Sequence, residues 1–391
     1  MAAKRGRDKS DGVDLQGANL IWQVRPLLET LHSVGTERDK AGNRKLFFDQ
    51  YVSLLLLYFF TPALTSLRAL QQATNWEQTR KKLGIRRTSL GSLSEAASLF
   101  DAEKLREIVQ ELAARAVPLT KGRQAEALQN LTAVDGSVFR ALPKMAWALW
   151  QDDAHAAVKL HLHFDVLKGV PVDAELTTAA ASETRSLKAM LKPQRLYVVD
   201  RGYAKYELFG DIIAAGSSFV ARVRDSVAYT LQEERTLSDE DRQAGVVRDF
   251  IISRLGTRHR PDYLQRPVRL VVVQTTGRDG KPHELWLLTD RLDLAAELVA
   301  LAYRYRWMVE LFFRWLKCIL GARHLISQSR NGITIQMYAA LIVSLLITLR
   351  TDRKPTKRTF ETIQFYLLGW VSDEEFAAHL EGLSQVKTKK P

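Results

Sequence analysis

Two aspartates sit at the ends or breaks of apolar segments, Asp135 in Thr-Ala-Val-Asp-Gly-Ser and Asp200 in Val-Val-Asp-Arg-Gly-Tyr. A glutamate, Glu310, follows in a run that is unusually charged for its apolar content: Tyr303-Arg-Tyr-Arg306-Trp-Met-Val-Glu310-Leu-Phe-Phe-Arg-Trp-Leu-Lys317. Within it Tyr303, Arg306, Glu310 and Lys317 stand at i, i+3, i+7 and i+14, and at roughly 100° per residue a helix brings them within about 60° of one face. A carboxylate on that stripe can hold a metal ion, while the flanking guanidinium and ammonium can hold the phosphates of a substrate that the ion activates. Each residue alone also has an ordinary reading. Arg306 and Glu310 form a common i, i+4 surface pair, Asp135 before Gly136 is a routine turn residue, and Asp200 can cap the segment after it. A third carboxylate able to join the strand pair is what makes the set chemically interesting.

The elements around these residues must position them. Residues 131–139 read as a short apolar strand broken by Asp-Gly, 158–166 and 170–176 as a hairpin about Lys168-Gly169, and 195–200 as a compact apolar strand ending in Asp. Helices are predicted over 182–191, with Ser182 as cap, and over 205–215. The order β, β, β, α, β, α lets both aspartates lie on neighbouring strands of one mixed sheet covered by helices, the frame of a ribonuclease-H-like α/β fold. From 218 to 288 the pattern switches to strands at 219–223, 246–255, 268–275 and 284–288, with a polar link over 233–243 and a turn at 277–280. This reads as a β-rich insertion ahead of the Glu310 helix, which is predicted to begin near Leu294 and to run unbroken well past Glu310. A buried helix over 337–349 and an amphipathic stretch over 360–380 follow. Upstream, 45–60, 67–73, 76–83 and 103–116 read as helices. The expected division is a helical DNA-binding region over 1–125, the core over 126–225 and 291–350, the insertion over 226–290, and a helical C-terminal segment over 351–391.

The 391 residues suffice for two or three domains. The 57 Lys and Arg against 44 Asp and Glu leave a formal charge of +13, which attracts polyanions, nucleic acid first and an acidic membrane surface second. Arg80, Lys81, Lys82, Arg86 and Arg87 beside Thr88 and Ser89 suit a grip on a DNA backbone, and suit a solvated face equally well. The basic stretch 1–15 reads as a tail. The apolar stretches 51–60 and 337–349 fall short of the roughly 20 residues of a spanning helix, and no apolar core follows the basic start, so a cytoplasmic location is expected. The single cysteine, Cys318, excludes an internal disulfide and reads as a small hydrophobe packed in its helix. His161 and His163 alternate with Lys159 as partly exposed residues of a strand face with no assigned role, and Arg222 and Arg224 face either DNA or water.

The 303–317 run resembles the signature of the insertion-sequence-four family of bacterial DDE transposases, and Asp135-Gly136 and Asp200-Arg201-Gly202-Tyr203 are similar to that family's two aspartate motifs. The resemblance extends from about residue 45 to 350 and takes in 87–96. It implies an enzyme that cleaves double-stranded DNA at terminal inverted repeats and joins it to target DNA. Asp135, Asp200 and Glu310 would hold two Mg²⁺ ions, replaceable by Mn²⁺, roughly 3.5 to 4 Å apart. Tyr303, Arg306 and Lys317 would contact phosphates near the scissile bond, with a hairpin intermediate in a cut-and-paste cycle. The resemblance also implies a homodimer in the synaptic complex, for which 360–380 is one surface, at the bacterial nucleoid. Family members stack a flipped base on an insertion Trp; Trp286 is the counterpart here but stands one position off, and a packed strand aromatic describes it better. A ribonuclease-H-like nuclease that only hydrolyses nucleic acid, or an inactive DNA-binding relic, are the alternatives.

Overall fold

A computed structural model describes residues 24–382 apart from 33, 35–38, 40, 41, 43, 142–144, 151, 258, 260, 261, 278, 279, 323, 373, 380 and 381. The expected tail over 1–15 and part of the 277–280 turn lie outside the described residues. The chain forms two compact units, one within 1–100 and 355–391 and the other within 101–354.

The first unit is helical: α1 (Arg25–Glu29), α2 (Phe48–Phe60), α3 (Leu67–Ala73), α4 (Glu77–Leu83) and α5 (Leu90–Leu99). Ser66 and Ser89 cap α3 and α5 by accepting the amides of Ala69 and Ser92, which satisfies donors a helix start leaves open. Gly84 ends α4 at φ 64°, a left-handed conformation that suits glycine. Arg86 and Arg87 follow it, both exposed.

The second unit opens with α6 (Glu103–Arg115) and α7 (Arg123–Ala127) and continues through β1 (Leu131–Ala141), β2 (Leu149–Trp150), β3 (Asp152–Asp165) and β4 (Val170–Thr178). Then come α8 (Glu183–Ala189), β5 (Leu196–Val199), α9 (Tyr206–Ala214), β6 (Ser218–Val223), β7 (Tyr229–Glu234) and α10 (Asp239–Gln243). The unit closes with β8 (Val246–Leu255), β9 (Val268–Thr276), β10 (Pro282–Thr289), α11 (Ala296–Tyr305), α12 (Trp307–Cys318) and α13 (Arg330–Thr351). Helix α14 (Lys357–Leu367) belongs to the first unit.

The ten strands among the described residues join one sheet of order β2-β3-β1-β5-β6-β10-β9-β8-β7, with β4 on β3. β1 is antiparallel to β3 and parallel to β5, and β5 is parallel to β6, which gives the ribonuclease-H-like order. β10, β9, β8 and β7 then extend the same sheet by antiparallel pairing from β6. The predicted polar link over 233–243 takes in the last two residues of β7 and the short helix α10; β7 escapes sequence reading because it turns its side chains to water and shows no apolar alternation.

β5, Leu-Tyr-Val-Val, is buried at every position, as expected of a parallel strand covered on both faces. One face of the sheet carries Val134, Tyr197, Val199, Phe219, Ala221, Val223, Val272 and Trp286, packed with Leu187, Leu208, Phe209 and Ile212 from α8 and α9. The opposite face is covered by α11, α12 and α13. There Asp249 and Arg269 form a buried bidentate pair, both bonds 2.7 Å, and Arg269 also donates to the Leu294 carbonyl just before α11. α13 is apolar on all sides, and every residue from 332 to 348 is buried. Its 22 residues are long and apolar enough to cross a membrane, contrary to the expectation drawn from 337–349. However, 94% of the apolar window is buried inside the fold, as in a core helix.

Three further expectations are corrected. β1 is not broken at Asp135-Gly136: Gly136 pairs with His161 in an unbroken ladder. His161 and His163 are buried, at 1% and 2% exposure, because α8 and its surroundings cover that face. Cys318 is exposed at the end of α12.

Candidate active site

The strand register brings the aspartates together. Ala133 of β1 stands opposite Val198 of β5, so two residues on, where side chains return to the same face, Asp135 and Asp200 stand side by side. Val199 stands opposite Ala221 of β6, so Arg222 is next in the same row. This row lies toward the carboxyl ends of parallel strands, where open α/β sheets form their crevices.

The helix over that face is not continuous. Arg306 keeps helical dihedrals (φ −51°, ψ −36°) but separates α11 from α12. Its amide bonds the Tyr303 carbonyl at 3.0 Å and its carbonyl receives the Val309 amide at 3.2 Å, three-residue spacings of a tightened turn. The single stripe expected of one regular helix is therefore split. Tyr303, before the break, donates its hydroxyl to Asp200 Oδ1 at 3.1 Å. Arg306, at the break, donates to Glu310 Oε1 at 2.6 Å. Lys317, at the far end of α12, reaches the Val138 carbonyl of β1 at 2.7 Å and lies 4.7 Å from the Phe139 ring centroid. The α12 face bearing Val309, Phe312, Phe313 and Leu316 is buried, and Phe312 meets Phe164 of β3 at 5.0 Å. That packing holds the helix across the row of aspartates.

The electrostatics of the two aspartates differ. Burial pushes the Asp135 carboxyl up to about 6; the Gly136 amide and Arg306 oppose this, and the charges of Glu310 and Glu183 add to it. Burial also pushes Asp200 up, but the Arg201 amide, Arg306, the Tyr303 hydroxyl and Arg222 outweigh it and hold the carboxyl below its ordinary range. Burial lowers Lys317, against the opposing charges of Cys318 and Asp135. Burial likewise pulls Arg306 down, yet its bond to Glu310 and the charges of Tyr303 and Asp200 leave it raised. Arg306 Nε is buried with no partner among the described residues, a donor free for an anion.

Three carboxylates are the oxygen donor set a hard divalent cation takes, and the raised Asp135, crowded by two other acids, is the state a cation would relieve. Among the described residues no three ligands are drawn close enough to enclose an ion, and Glu310 is held by Arg306 instead.

Sequence reasoning missed the support behind β1. Lys159 and Glu183 pair at 3.0 Å on the opposite face of the sheet, and His161 Nε2 meets Thr177 Oγ1 at 2.8 Å. A Cβ on Gly136 would lie 3.2 Å from Glu183 Oε1, 3.2 Å from Lys159 Cδ and 3.4 Å from His161 Nδ1. The signal was present in Lys159, His161 and His163 alternating opposite Val138, Gly136 and Val134.

Trp286 pairs with Val223 in β10–β6, which puts its side chain on the face away from Asp200 and Arg222. It is 8% exposed, lies under Arg248 at 5.0 Å and donates to Glu284 at 3.0 Å. Arg222 lines a cleft beside Asp200, and Arg224 is exposed at its rim.

A family model described as the transposase DDE domain matches residues 126–346. A Geobacillus stearothermophilus protein named as a transposase for insertion sequence element IS5377 is 26% identical over 57% of this chain and 57% of its own length. A Sinorhizobium fredii protein named as transposase y4zB is 25% identical over 49% of this chain and 52% of its own. The chain thus spans little more than half the length of these two relatives. A Synechocystis protein named as a transposase for element IS4SA is 20% identical over 79% of this chain and 86% of its own. A solved piggyBac transposase synaptic complex with hairpin DNA aligns over 97% of this chain and 84% of that one at 12% identity, with a TM-score of 0.38, too low to add to the topology.

Proposed function

The chain belongs to the transposase DDE domain family, and from that premise we propose that it is a bacterial insertion-sequence transposase that cleaves DNA at the element's ends and joins it to a target. Asp135, Asp200 and Glu310 are the proposed ligands of two Mg²⁺ ions, with Mn²⁺ able to substitute. The observation that carries the reading is the placement of Asp135 and Asp200 side by side on adjacent parallel strands beneath the helix that bears Glu310. When bound, the ions would activate the attacking hydroxyl and stabilise the leaving oxygen at phosphorus.

The chain's own residues prepare that site. The Arg201 amide and the Tyr303 hydroxyl fix the Asp200 carboxylate in its charged form. The Gly136 amide fixes one oxygen of Asp135 at 2.8 Å. Arg306 and Glu310 neutralise each other until a phosphate takes the guanidinium, whose Nε has no partner among the described residues. Lys317 adds a second cation beside β1 and Arg222 a third beside Asp200. Charge neutralisation and positioning of this kind supply most of the catalysis in phosphoryl transfer. We further infer that residues 1–125, with Arg86 and Arg87 exposed after α4, grip end DNA, that the active species is a homodimer, and that the cycle passes through a hairpin. Trp286 is the weakest member of the DNA-contacting set, since base stacking there would require it to leave its packed position.

The test uses element-end DNA with Mg²⁺, following cut and joined products separately. Glu310→Ala and Asp200→Ala each abolish both products, while end binding stays within about threefold of wild type, since binding rests on phosphate contacts elsewhere. Wild-type joining in either variant would remove that residue from the site. Cutting without joining by the unaltered chain would make it a nuclease.

A further inference from the structure

Beside Asp200, at the carboxyl ends of β5 and β6, opens a cleft of ≈ 1090 Å³ that shares Asp200 and Arg222 with the proposed chemistry and extends beyond it along Arg201, Lys205, Arg224 and Tyr263. Its cations are Arg201, Lys205, Arg222 and Arg224, against Asp200 and Glu207 as acids, and two aromatic side chains, Tyr206 and Tyr263, lie on its walls. Arg201, Lys205 and Arg224 are exposed, and none of the four cations is ion-paired among the described residues.

The walls are built rather than incidental. Gly210 of α9 lets the Tyr263 backbone approach that helix closely, since a Cβ there would meet the Tyr263 carbonyl at 2.9 Å. Gly256, at φ 90°, leaves room for the Tyr206 ring, whose Cε2 would lie 3.4 Å from a Cβ. Tyr263 remains 47% exposed. The amino end of α9, a nine-residue helix, also opens onto the cleft, adding amide donors to the cations.

Such a cleft differs from a surface for duplex DNA. A flat or convex basic face meets the double helix from outside, whereas a concave cationic groove with aromatic walls takes a backbone whose bases are free to stack. Its volume exceeds the roughly 300–1,000 Å³ of a pocket for one drug-sized ligand, so there is room for more than one nucleotide. We propose that this cleft binds an unpaired DNA strand running away from the carboxylates, its phosphates on Lys205, Arg222 and Arg224 and a base against Tyr263. The proposal extends the functional reading above by naming the form of DNA that enters, and it requires no catalysis.

The experiment measures binding of the full chain to a labelled unpaired DNA oligonucleotide of about 12 nucleotides, within the site sizes common for single-strand grooves, and to a duplex of the same sequence. Fluorescence anisotropy is followed over a range of KCl concentrations in EDTA. The double variant Lys205→Ala/Arg224→Ala weakens unpaired-strand binding about tenfold near 0.1 M salt and flattens the plot of log K against log salt by about 1.4, at roughly 0.7 for each lost phosphate contact. Tyr263→Ala weakens the same binding about fivefold or more without changing the slope, since stacking carries no counterion release. Duplex affinity stays within about twofold for both, and circular dichroism confirms that these exposed substitutions leave the fold intact. Unchanged unpaired-strand affinity and slope would overturn the proposal, and so would an equal loss toward the duplex. Because no cleavage is measured, failure of the transposase reading would appear only in the product assay, and failure of the cleft only here.

Discussion

Asp135 is the residue whose charge the rest of the site controls. Its carboxyl titrates near 6 in the folded chain against 3.8 as the ordinary value. The folded state therefore favours the proton. The stabilisation from that proton is complete below about pH 4 and is lost as pH rises through 6, a swing of at most about 3 kcal/mol. Asp135→Asn should remove this component, so the wild-type unfolding free energy, measured in EDTA, should fall relative to the variant's by up to that amount as pH rises from 4 to 7. A cation reverses the balance by favouring the carboxylate. Mg²⁺ should thus raise the Tm of the wild-type protein at pH 7.5 and much less at pH 5, and the variant should show neither effect to the same degree. Equal Mg²⁺ stabilisation at both pH values, retained in Asp135→Asn, would show that the ion binds elsewhere. Asp200 is the complement: four donors and cations already hold its charge, so it meets a cation in its ionised form.

At the scale of elements, the Asp249–Arg269 pair between β8 and β9 fixes the antiparallel half of the sheet to the start of α11, and so to the helix pair that carries Tyr303 and Glu310. Both side chains are almost wholly buried, at 3% and 2% exposure. Arg269→Met would strand the Asp249 charge and cost about 3–5 kcal/mol in urea unfolding, whereas Asp249→Leu/Arg269→Met, which removes both charges, recovers most of that. A single variant that loses less than about 1 kcal/mol would mean that water reaches the pair. The same scale shows what the residues disclosed in advance. β1, β5 and β8 to β10 were legible because apolar runs and alternation mark strands with a covered face. β7 was not, because five of its six residues are exposed. The break at Arg306 was invisible because Tyr305-Arg306-Trp307 keeps helical dihedrals and contains no proline or glycine; only the hydrogen-bond spacing changes. Alternation placed Lys159, His161 and His163 on one face, but whether that face is covered depends on α8, more than twenty residues downstream. The carboxylates were recognisable from their motifs, while their adjacency needed the β1–β5 register, a pairing between segments 65 residues apart.

At the scale of the molecule, the chain carries a formal charge of +13, and in its second unit Asp135 of β1 and Asp200 just after β5 stand side by side on one face of the sheet. The four cations of the adjoining cleft continue from that point. A polyanion is drawn to such cations by charge alone, whereas the proposed function needs the carboxylates as the place where phosphorus reacts. The most direct measurement of that claim exchanges one hard ligand for a soft one in the whole protein. Asp200→Cys, assayed for joining of element-end DNA to target, should be inactive with Mg²⁺, which binds thiolate poorly, and should regain a substantial part of its activity with Mn²⁺. The unaltered chain should join DNA with either ion. Full joining by Asp200→Cys in Mg²⁺ would contradict the assignment of Asp200 as a metal ligand and, with it, the account of this site.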